Sequence, residues 1–413
     1  MRVPQTIVRP RENPGHAACR SYKRPRRSRA CVLRRVADHA LPPTLERPAS
    51  RILTCIFPPL NIPTEPIGSI PRPAHLIEAA AAVNGQGPEL ERLYDEAVRD
   101  TIGLFEATGS PVITDGEQRK YHNFWTYAVH GLPNTAPDGF QIPFCAGHVR
   151  RMPRLTAGPF RYHDRADRHL QTAMRYAHRP LKQAVISPSA LSLMYPSTEL
   201  PGYPREAFIE DLLREHVAEV RACLAMGAYK VQVDFTEGRF AAKLDPTGAL
   251  LHSFIELNNL ALSRFTPAER QAIGVHTCPG GDLDSTHSAD VDYADLLPSL
   301  FQLRAGNFYV ALAGEPDRIR VLEIIREHRQ PGQRVFVGVI APIDPRVETA
   351  EEVRDRTLEA LEFIPPESLG TTDDCGFAPF CDDTSTSREV AFAKIRARVQ
   401  GTQMASAELG SIR

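Results

Sequence analysis

No stretch of this 413-residue chain approaches the run of about 18 apolar residues that a membrane-spanning helix needs, so a helical bilayer anchor is not expected. The eight cysteines are scattered along a long chain. That is not the dense, even spacing of a small disulfide-stapled secreted domain, and a reducing, cytoplasmic setting is expected. No Gly-x-Gly-x-x-Gly follows a strand-like run, which removes the sequence sign of a dinucleotide site. Tryptophan is almost lacking: Trp125 is the single one. Net charge is also nearly absent, at −1, but this value hides an asymmetry. Residues 1–55 hold 13 Lys/Arg against 3 Asp/Glu, a balance of +10, and the rest holds 36 against 47, a balance of −11. An acidic body excludes a nucleic-acid face on the part that folds.

The basic head contains Lys23-Arg24-Pro25-Arg26-Arg27, several prolines and no sustained apolar period, so it cannot bury enough surface to offset its ordering entropy. A disordered extension over 1–55 is expected, with a nucleic-acid arm or an Arg-rich transit peptide as the functional alternatives. From about Ile62, short apolar runs alternate with long amphipathic stretches, the texture of repeated βα units on a parallel sheet. Helices are predicted over Leu90 to Thr108, Arg205 to Met226, Tyr293 to Leu303, Asp317 to His328 and Ala350 to Phe363. Strands are predicted at Pro111–Thr114, Ala184–Ser187, Lys230–Asp234, Ile273–His276, Asn307–Leu312, Arg334–Ile340 and just before Asp373. The count is close to eight. Reactive residues fall at the carboxyl ends of these runs, as they do where the ends of barrel strands open on one face. The expected fold is an α/β chain, a (β/α)8 TIM barrel over 56–413, with an inserted segment around 118–180 roofing the pocket. A doubly wound open sheet is the competing architecture.

His276-Thr277-Cys278 ends one strand, and side chains two apart on a strand share a face. About a hundred residues on, Asp373-Asp374-Cys375-Gly376 ends another βα unit. One histidine and two cysteines form a soft donor set that suits zinc and leaves a fourth position for an oxygen ligand or a substrate. Cys381, six residues past Cys375, competes for the second sulfur position. A thiol bound to zinc loses its proton near neutral pH, whereas a free thiol of pKa about 8.5 is mostly protonated there. Thiol alkylation is therefore the expected chemistry. Hydrolysis by zinc-bound water fits less well, because such sites more often use histidine and carboxylate ligands.

Residues 62–400 resemble the catalytic barrel of cobalamin-independent methionine synthase in a short single-barrel form, within the superfamily that also holds uroporphyrinogen decarboxylase. Pro66-Ile67-Gly68-Ser69-Ile70-Pro71-Arg72 resembles the motif that contacts homocysteine, implying Ile67 and Ser69 as substrate-binding residues. Asp115-Gly116-Glu117 and Val233-Asp234 resemble the elements whose carboxylates hold the substrate's amino group. The His-x-Cys and Asp-Cys-Gly elements resemble the zinc motifs, and Glu315 is the carboxylate nearest to the family's acidic ligand. The implied metal set is His276, Cys278, Glu315 and Cys375. The resemblance implies methyl transfer to homocysteine, giving methionine, usually from 5-methyltetrahydropteroylglutamate.

Two elements depart from the family pattern. The stretch Val337 to Asp344 carries no histidine where the family places its acid, and Ser187 to Ser192 carries no tryptophan where the family stacks its folate ring. The alternatives are a non-folate donor, a methylcorrinoid protein or an epoxide, or a metal-free decarboxylase-like relative; a non-enzymatic zinc barrel is a third class. Asp234, Glu237 and Arg239 at one strand end suit an amino-acid zwitterion. His287, after the zinc loop, is a candidate proton shuttle, so Asp234 and His287 are the expected catalytic residues. Arg119, Lys120 and His122 offer a basic patch for an anionic tail.

Overall fold

Runs of four to seven residues rich in valine and isoleucine, too short for helices, form six parallel strands whose residues are buried with the single exception of half-buried Arg334. The structure is a computed structural model that describes residues 61–82, 87–120 and 123–412, apart from the side chain of Ile412. The expected disorder of 1–55 lies outside these residues. The strands are β1 (Lys182–Ile186), β2 (Lys230–Asp234), β3 (Ile273–Thr277), β4 (Asn307–Val310), β5 (Arg334–Ile340) and β6 (Leu369–Asp373), hydrogen-bonded in that order.

Two further positions complete the ring. Thr64 bridges Thr371 of β6 in parallel, and Ile113 bridges Leu181 beside β1 in parallel. These outer segments then meet each other: Ile70 N donates to Gly116 O (3.0 Å), and Thr114 Oγ1 donates to Gly68 O (2.9 Å). The interior gives independent support for closure. Glu65, one residue past the first bridge, accepts hydrogen bonds from Lys230 of β2 (2.6 Å) and Tyr309 of β4 (2.5 Å). Side chains from opposite parts of an open sheet would not converge in this way, so the sheet is a barrel rather than a doubly wound layer.

The flanking helices include α1 (Pro88–Ala107), α2 (Arg205–Met226), α3 (Glu237–Leu244), α4 (Ala249–Ser263), α5 (Arg318–His328), α6 (Ala350–Leu361) and α7 (Arg388–Ile412). Local chemistry sets their ends. Helix α6 starts on a capping box in which Thr349 and Glu352 satisfy each other's amides. Two expectations fail for the same reason. The helix expected over Tyr293 to Leu303 reduces to a single turn, Tyr293–Asp295, and a four-residue helix, Leu297–Leu300. Pro298 belongs in a first helical turn, where its missing N–H costs nothing. The strand expected at Pro111–Thr114 is one bridge, and Pro111 has no amide to extend it.

Within 118–180, two short antiparallel ribbons form: Thr135–Ala136 with Arg154–Leu155, and Gln141–Pro143 with Val149–Arg151. The segment is pinned to the barrel at both sides. Tyr127 OH donates to Glu219 on α2 (3.0 Å), and Arg150 donates to both oxygens of Asp282 (2.6 and 2.9 Å).

Candidate metal centre

Strand register brings the reactive residues together. Asp234 pairs with His276 across β2 and β3, so these side chains project side by side from the carboxyl end of the barrel. His276 Nδ1 lies 3.2 Å from Asp234 Oδ1, and Gln232 Nε2 donates to that same oxygen (2.8 Å). With Nδ1 held by Asp234, the ligand role falls to Nε2, which lies 3.4 Å from Asp374 O, beside Cys375. Cys278 follows two residues on, and the chain turns there, with Gly280 N donating to its sulfur.

Cys375 arrives from the end of β6. The Cys278 thiol donates to Cys375 Sγ at 3.1 Å, and the ligand atoms of His276, Cys278 and Cys375 all lie within 4.8 Å of one another. A tetrahedral ion with metal–sulfur bonds of about 2.3 Å separates two sulfurs by about 3.8 Å, so a small opening of this pair accommodates it. All three residues are buried. The two thiols are shifted in opposite directions. The hydrogen bond from Cys278, with the His276 charge assisting against burial, holds the Cys375 thiol below its ordinary range, while burial pushes Cys278 up. Burial acts to lower His276, but the Asp234 carboxylate outweighs it and the imidazole sits above its usual value. Cys381, the competing sulfur, lies outside this group and lines a separate groove with Arg150 and Asp382.

His276 and Cys375 open onto a cavity, with Cys278 buried behind them. One side of it is polar. Ile67, Ser69, Glu117, Asp234, Glu237, His276 and Cys375 all line it. Ser69 packs so tightly on Gly376 that a Cβ there would come within 1.9 Å of its hydroxyl, which explains the glycine after Cys375. Glu117 adopts φ 57°, a left-handed conformation uncommon for a non-glycine residue, and its amide donates to Asp115 Oδ1 (2.9 Å). Burial raises the Glu117 carboxyl to about 7 even though Lys120 lies 3.4 Å away and opposes the shift. Glu237 is likewise raised to about 7 by burial, and its Oε1 accepts from the hydroxyls of Ser187 and Ser189.

The other side is aromatic. Phe124, Trp125, Ile142 and Phe144 come from the inserted segment and Phe380 from beyond Cys375. Phe380 stands edge-on to both Phe124 (6.0 Å) and Phe144 (6.3 Å). His287 lines this side between Phe144 and Phe240, and burial, with Lys243 and Arg239 adding, lowers it to about 3, so its ring is neutral. The sequence placed the inserted segment over the pocket but did not single out Phe124, Phe144 or Phe380; their clustering beside Trp125 and after the Cys375 motif was the available signal.

Three site expectations are revised. Glu315 does not join His276, Cys278 and Cys375: its carboxylate accepts from Arg239 Nη1 (2.6 Å) and Nη2 (3.3 Å). Arg239 is thereby withdrawn from any zwitterion, since a guanidinium 1% exposed and tied to Glu315 has no reach toward the cavity. The basic patch also dissolves. Arg119 pairs with Glu91 and Asp95, Lys120 is fully buried, and His122 lies outside the described residues.

Several known proteins are similar to this chain. A methionine synthase of Sulfurisphaera tokodaii is 23% identical over 361 residues, covering 84% of this chain and 94% of that protein. A 5-methyltetrahydropteroyltriglutamate–homocysteine methyltransferase of Herpetosiphon aurantiacus is 22% identical over 346 residues, 83% of this chain and 43% of its own longer length. The solved B12-independent methionine synthase of Shewanella sp. W3-18-1, in complex with selenomethionine, superimposes with a TM-score of 0.66 at 20% identity, covering 84% of this chain and 99% of that one, which supports the same fold. Residues 62–400 match the model of the family described as cobalamin-independent synthase, catalytic domain, and the chain belongs to that family.

Proposed function

We propose that this chain is a zinc-dependent S-methyltransferase that moves a methyl group to the thiol of homocysteine, forming methionine, in one barrel domain spanning 56–413. The observation that carries the reading is the joining of a soft His-Cys-Cys donor set to a cavity wall of three carboxylates. Soft sulfur donors favour zinc over hard cations. His276, Cys278 and Cys375 would hold the zinc, and its charge would lower the pKa of an incoming thiol into the neutral range.

The residues of the chain do the rest. Glu117 and Asp234 grip the ammonium group of the amino acid, and Ser69 and the backbone at Ile67 orient it, which fixes the sulfur relative to the donor carbon. Asp234 also holds the His276 ring by Nδ1, so one carboxylate serves both substrate and ligand geometry. Glu237 lines the same wall and adds negative charge above about pH 7. The aromatic roof excludes water and offers flat surfaces to a ring-bearing donor, with Trp125 in the place of the tryptophan lacking at Ser187–Ser192. His287, neutral and with Nδ1 at 2.9 Å from Ser288 Oγ, serves the donor as a hydrogen-bond partner. A relative named for a methyltetrahydropteroyl substrate makes a folate the first donor to test. A methylcorrinoid protein or an epoxide is the alternative.

The three carboxylates also select the acceptor. A thiol with an anionic tail and no ammonium group would meet like charge at Asp234 and, above about pH 7, at Glu117 and Glu237, whereas homocysteine brings a cation. Five free cysteines among the described residues, Cys145, Cys223, Cys278, Cys375 and Cys381, suit a cytoplasmic setting. Among the described residues no helix is long and apolar enough to cross a membrane. The test is to load the purified protein with zinc and homocysteine and screen methylfolate, methylcobalamin and other methyl donors for methionine. Methionine formed with one donor supports the reading; zinc retained with no product from any donor removes it.

A further inference from the structure

Three segments far apart in sequence meet on one short hairpin. Gly281–Asp282 pairs with Ser285–Thr286, starting three residues past Cys278, and the two residues between them, Leu283 and Asp284, both take left-handed backbone (φ 48° and 54°). A two-residue hairpin turn demands that conformation, and asparagine or glycine usually supplies it. A leucine there is strained, and it persists where surrounding contacts over-determine the turn. Such contacts flank it on both sides. Leu283 N donates to Asp383 Oδ2 (3.1 Å) in the loop after Cys375, and from the inserted segment Cys145 N donates to Thr286 O (2.9 Å) and Ala146 N to Ser285 Oγ (2.9 Å).

Asp282 is where these segments are tied together. Its buried carboxylate accepts from Arg150 Nε at Oδ2 (2.6 Å) and from Arg150 Nη2 at Oδ1 (2.9 Å), while His148 Nε2 lies 2.8 Å from Oδ2. Both partners stack on rings of the roof. The His148 ring lies on Phe144 (4.6 Å between centroids, 12° between planes), and the Arg150 guanidinium sits 4.4 Å from the Phe380 centroid while Nη1 and Nη2 also reach Asp382. One carboxylate thus holds the groups stacked on two rings that line the cavity. The same hairpin touches the acceptor's side, since a Cβ on Gly281 would lie 3.8 Å from Cys375 Sγ.

We infer that Asp282 is a positioning residue for the donor half of the site: acting through His148 and Arg150, it sets the height of Phe144 and Phe380 above the loop that carries Cys278. A donor carbon and an acceptor sulfur must be brought to about 3–3.5 Å and in line, so a roof registered to that loop fixes a separation that neither wall fixes alone. A neutral side chain at 282 leaves His148 without its carboxylate and Arg150 with Asp382 alone, at the exposed rim. The roof then moves with the rim. The part played toward a methyl donor rests on the proposed function; the registration of the roof does not.

Asp282→Asn in the full-length protein separates this from a general structural role. Zinc content and the KM for homocysteine are expected to stay at wild-type values, the donor KM to rise and kcat to fall by about 10²-fold, the scale of a misplacement of about 1 Å that starts away from the chemistry. Arg150→Met should give the same pattern and carries the test if the asparagine variant does not fold. The double variant should lose little more than either single one, because both break one link. Unchanged kcat and donor KM overturn the inference, as do equal losses in acceptor and donor constants or additive losses in the double variant. A second readout needs no methyl donor: acrylamide quenching of Trp125, the single tryptophan and a buried member of the same roof, is expected to increase in Asp282→Asn. If the wild type forms methionine from no donor, the function reading falls and quenching alone decides. An increase then supports the registration of the roof, and quenching equal to wild type overturns it.

Discussion

The two walls of the cavity are built by different means. The polar wall rises from strand ends and the turns that follow them, where hydrogen-bond register sets each side chain: Asp234 beside His276, and Cys375 one residue past Asp374, whose carboxylate accepts from Leu312 N (2.7 Å). The aromatic wall comes from the inserted segment and the loop after Cys375, joined by backbone hydrogen bonds such as Phe124 N to Pro379 O (3.1 Å) and Cys145 N to Thr286 O (2.9 Å) and by side-chain contacts such as Arg150 with Asp282 and Tyr127 with Glu219. The polar wall is thus fixed by strand register, and the other by contacts between loops. This division matches a reaction in which the acceptor and its metal demand fixed geometry, whereas the donor's surface contacts are broad and apolar.

The largest effect expected is at the metal. Cys375→Ser or Cys278→Ser should abolish zinc retention and lower kcat/KM by roughly 10³-fold or more, a loss of ~4 kcal/mol or greater in transition-state stabilisation. Metal analysis and steady-state rates check both halves of that statement. Retained zinc with near-normal rates would erase the contrast between the walls.

Next comes the ammonium grip. Glu117→Gln should raise the KM for homocysteine by about 10–100-fold, the scale of a lost charge-assisted hydrogen bond. Because burial raises this carboxyl to about 7, only its ionised form above that pH pairs with a cation. Wild-type KM for homocysteine should therefore climb as pH falls below about 7. In the glutamine variant that rise should flatten. A variant with an unchanged pH profile would remove Glu117 from the grip.

Trp125→Phe probes the roof alone. Donor KM should rise by about 2- to 10-fold, the range of an aromatic contact, while zinc content and homocysteine KM stay put. Since Trp125 is the single tryptophan, donor binding can also be followed in the wild type by quenching of its emission. Equal shifts in acceptor and donor constants would show that the walls are coupled.

The smallest effect on activity is expected from Glu219→Gln, which acts on stability behind the roof. Burial raises Glu219 to about 7 from an ordinary 4.5. The folded state therefore holds the extra proton, and its stabilising contribution is complete below about 4.5 and lost as pH rises through about 7. Glutamine removes that loss, so the variant should gain stability over wild type at pH 8, by ~3 kcal/mol, and should show no such gain near pH 4. Thermal unfolding at both values measures it.

The same division governs what the sequence made legible. Strands β2 and β5 and helix α2 are readable to the residue, because buried parallel strands are continuous apolar runs and α2 is a long uninterrupted amphipathic stretch. The metal donors are readable because strand ends follow from such runs. Helix α7 was missed because its buried face carries charge: Lys394 and Arg398 are fully buried, and Lys394 pairs with Glu348 (2.9 Å), which breaks the apolar stripe. Helices α3 and α4 also went unread. Arg239 was misassigned because the sequence cannot show that Glu315, 76 residues away, neutralises it. The roof was legible only as an insertion, since its ribbons of two or three residue pairs carry too little periodicity to be recognised.

The account stands on one ion shared by His276, Cys278 and Cys375 and reached by the acceptor's sulfur. X-ray absorption at the zinc edge of the loaded protein, with and without homocysteine, tests it most directly. Two sulfur neighbours should become three when homocysteine is added. A sulfur count that stays at two in the presence of saturating homocysteine, or zinc bound with no sulfur neighbour, would contradict it.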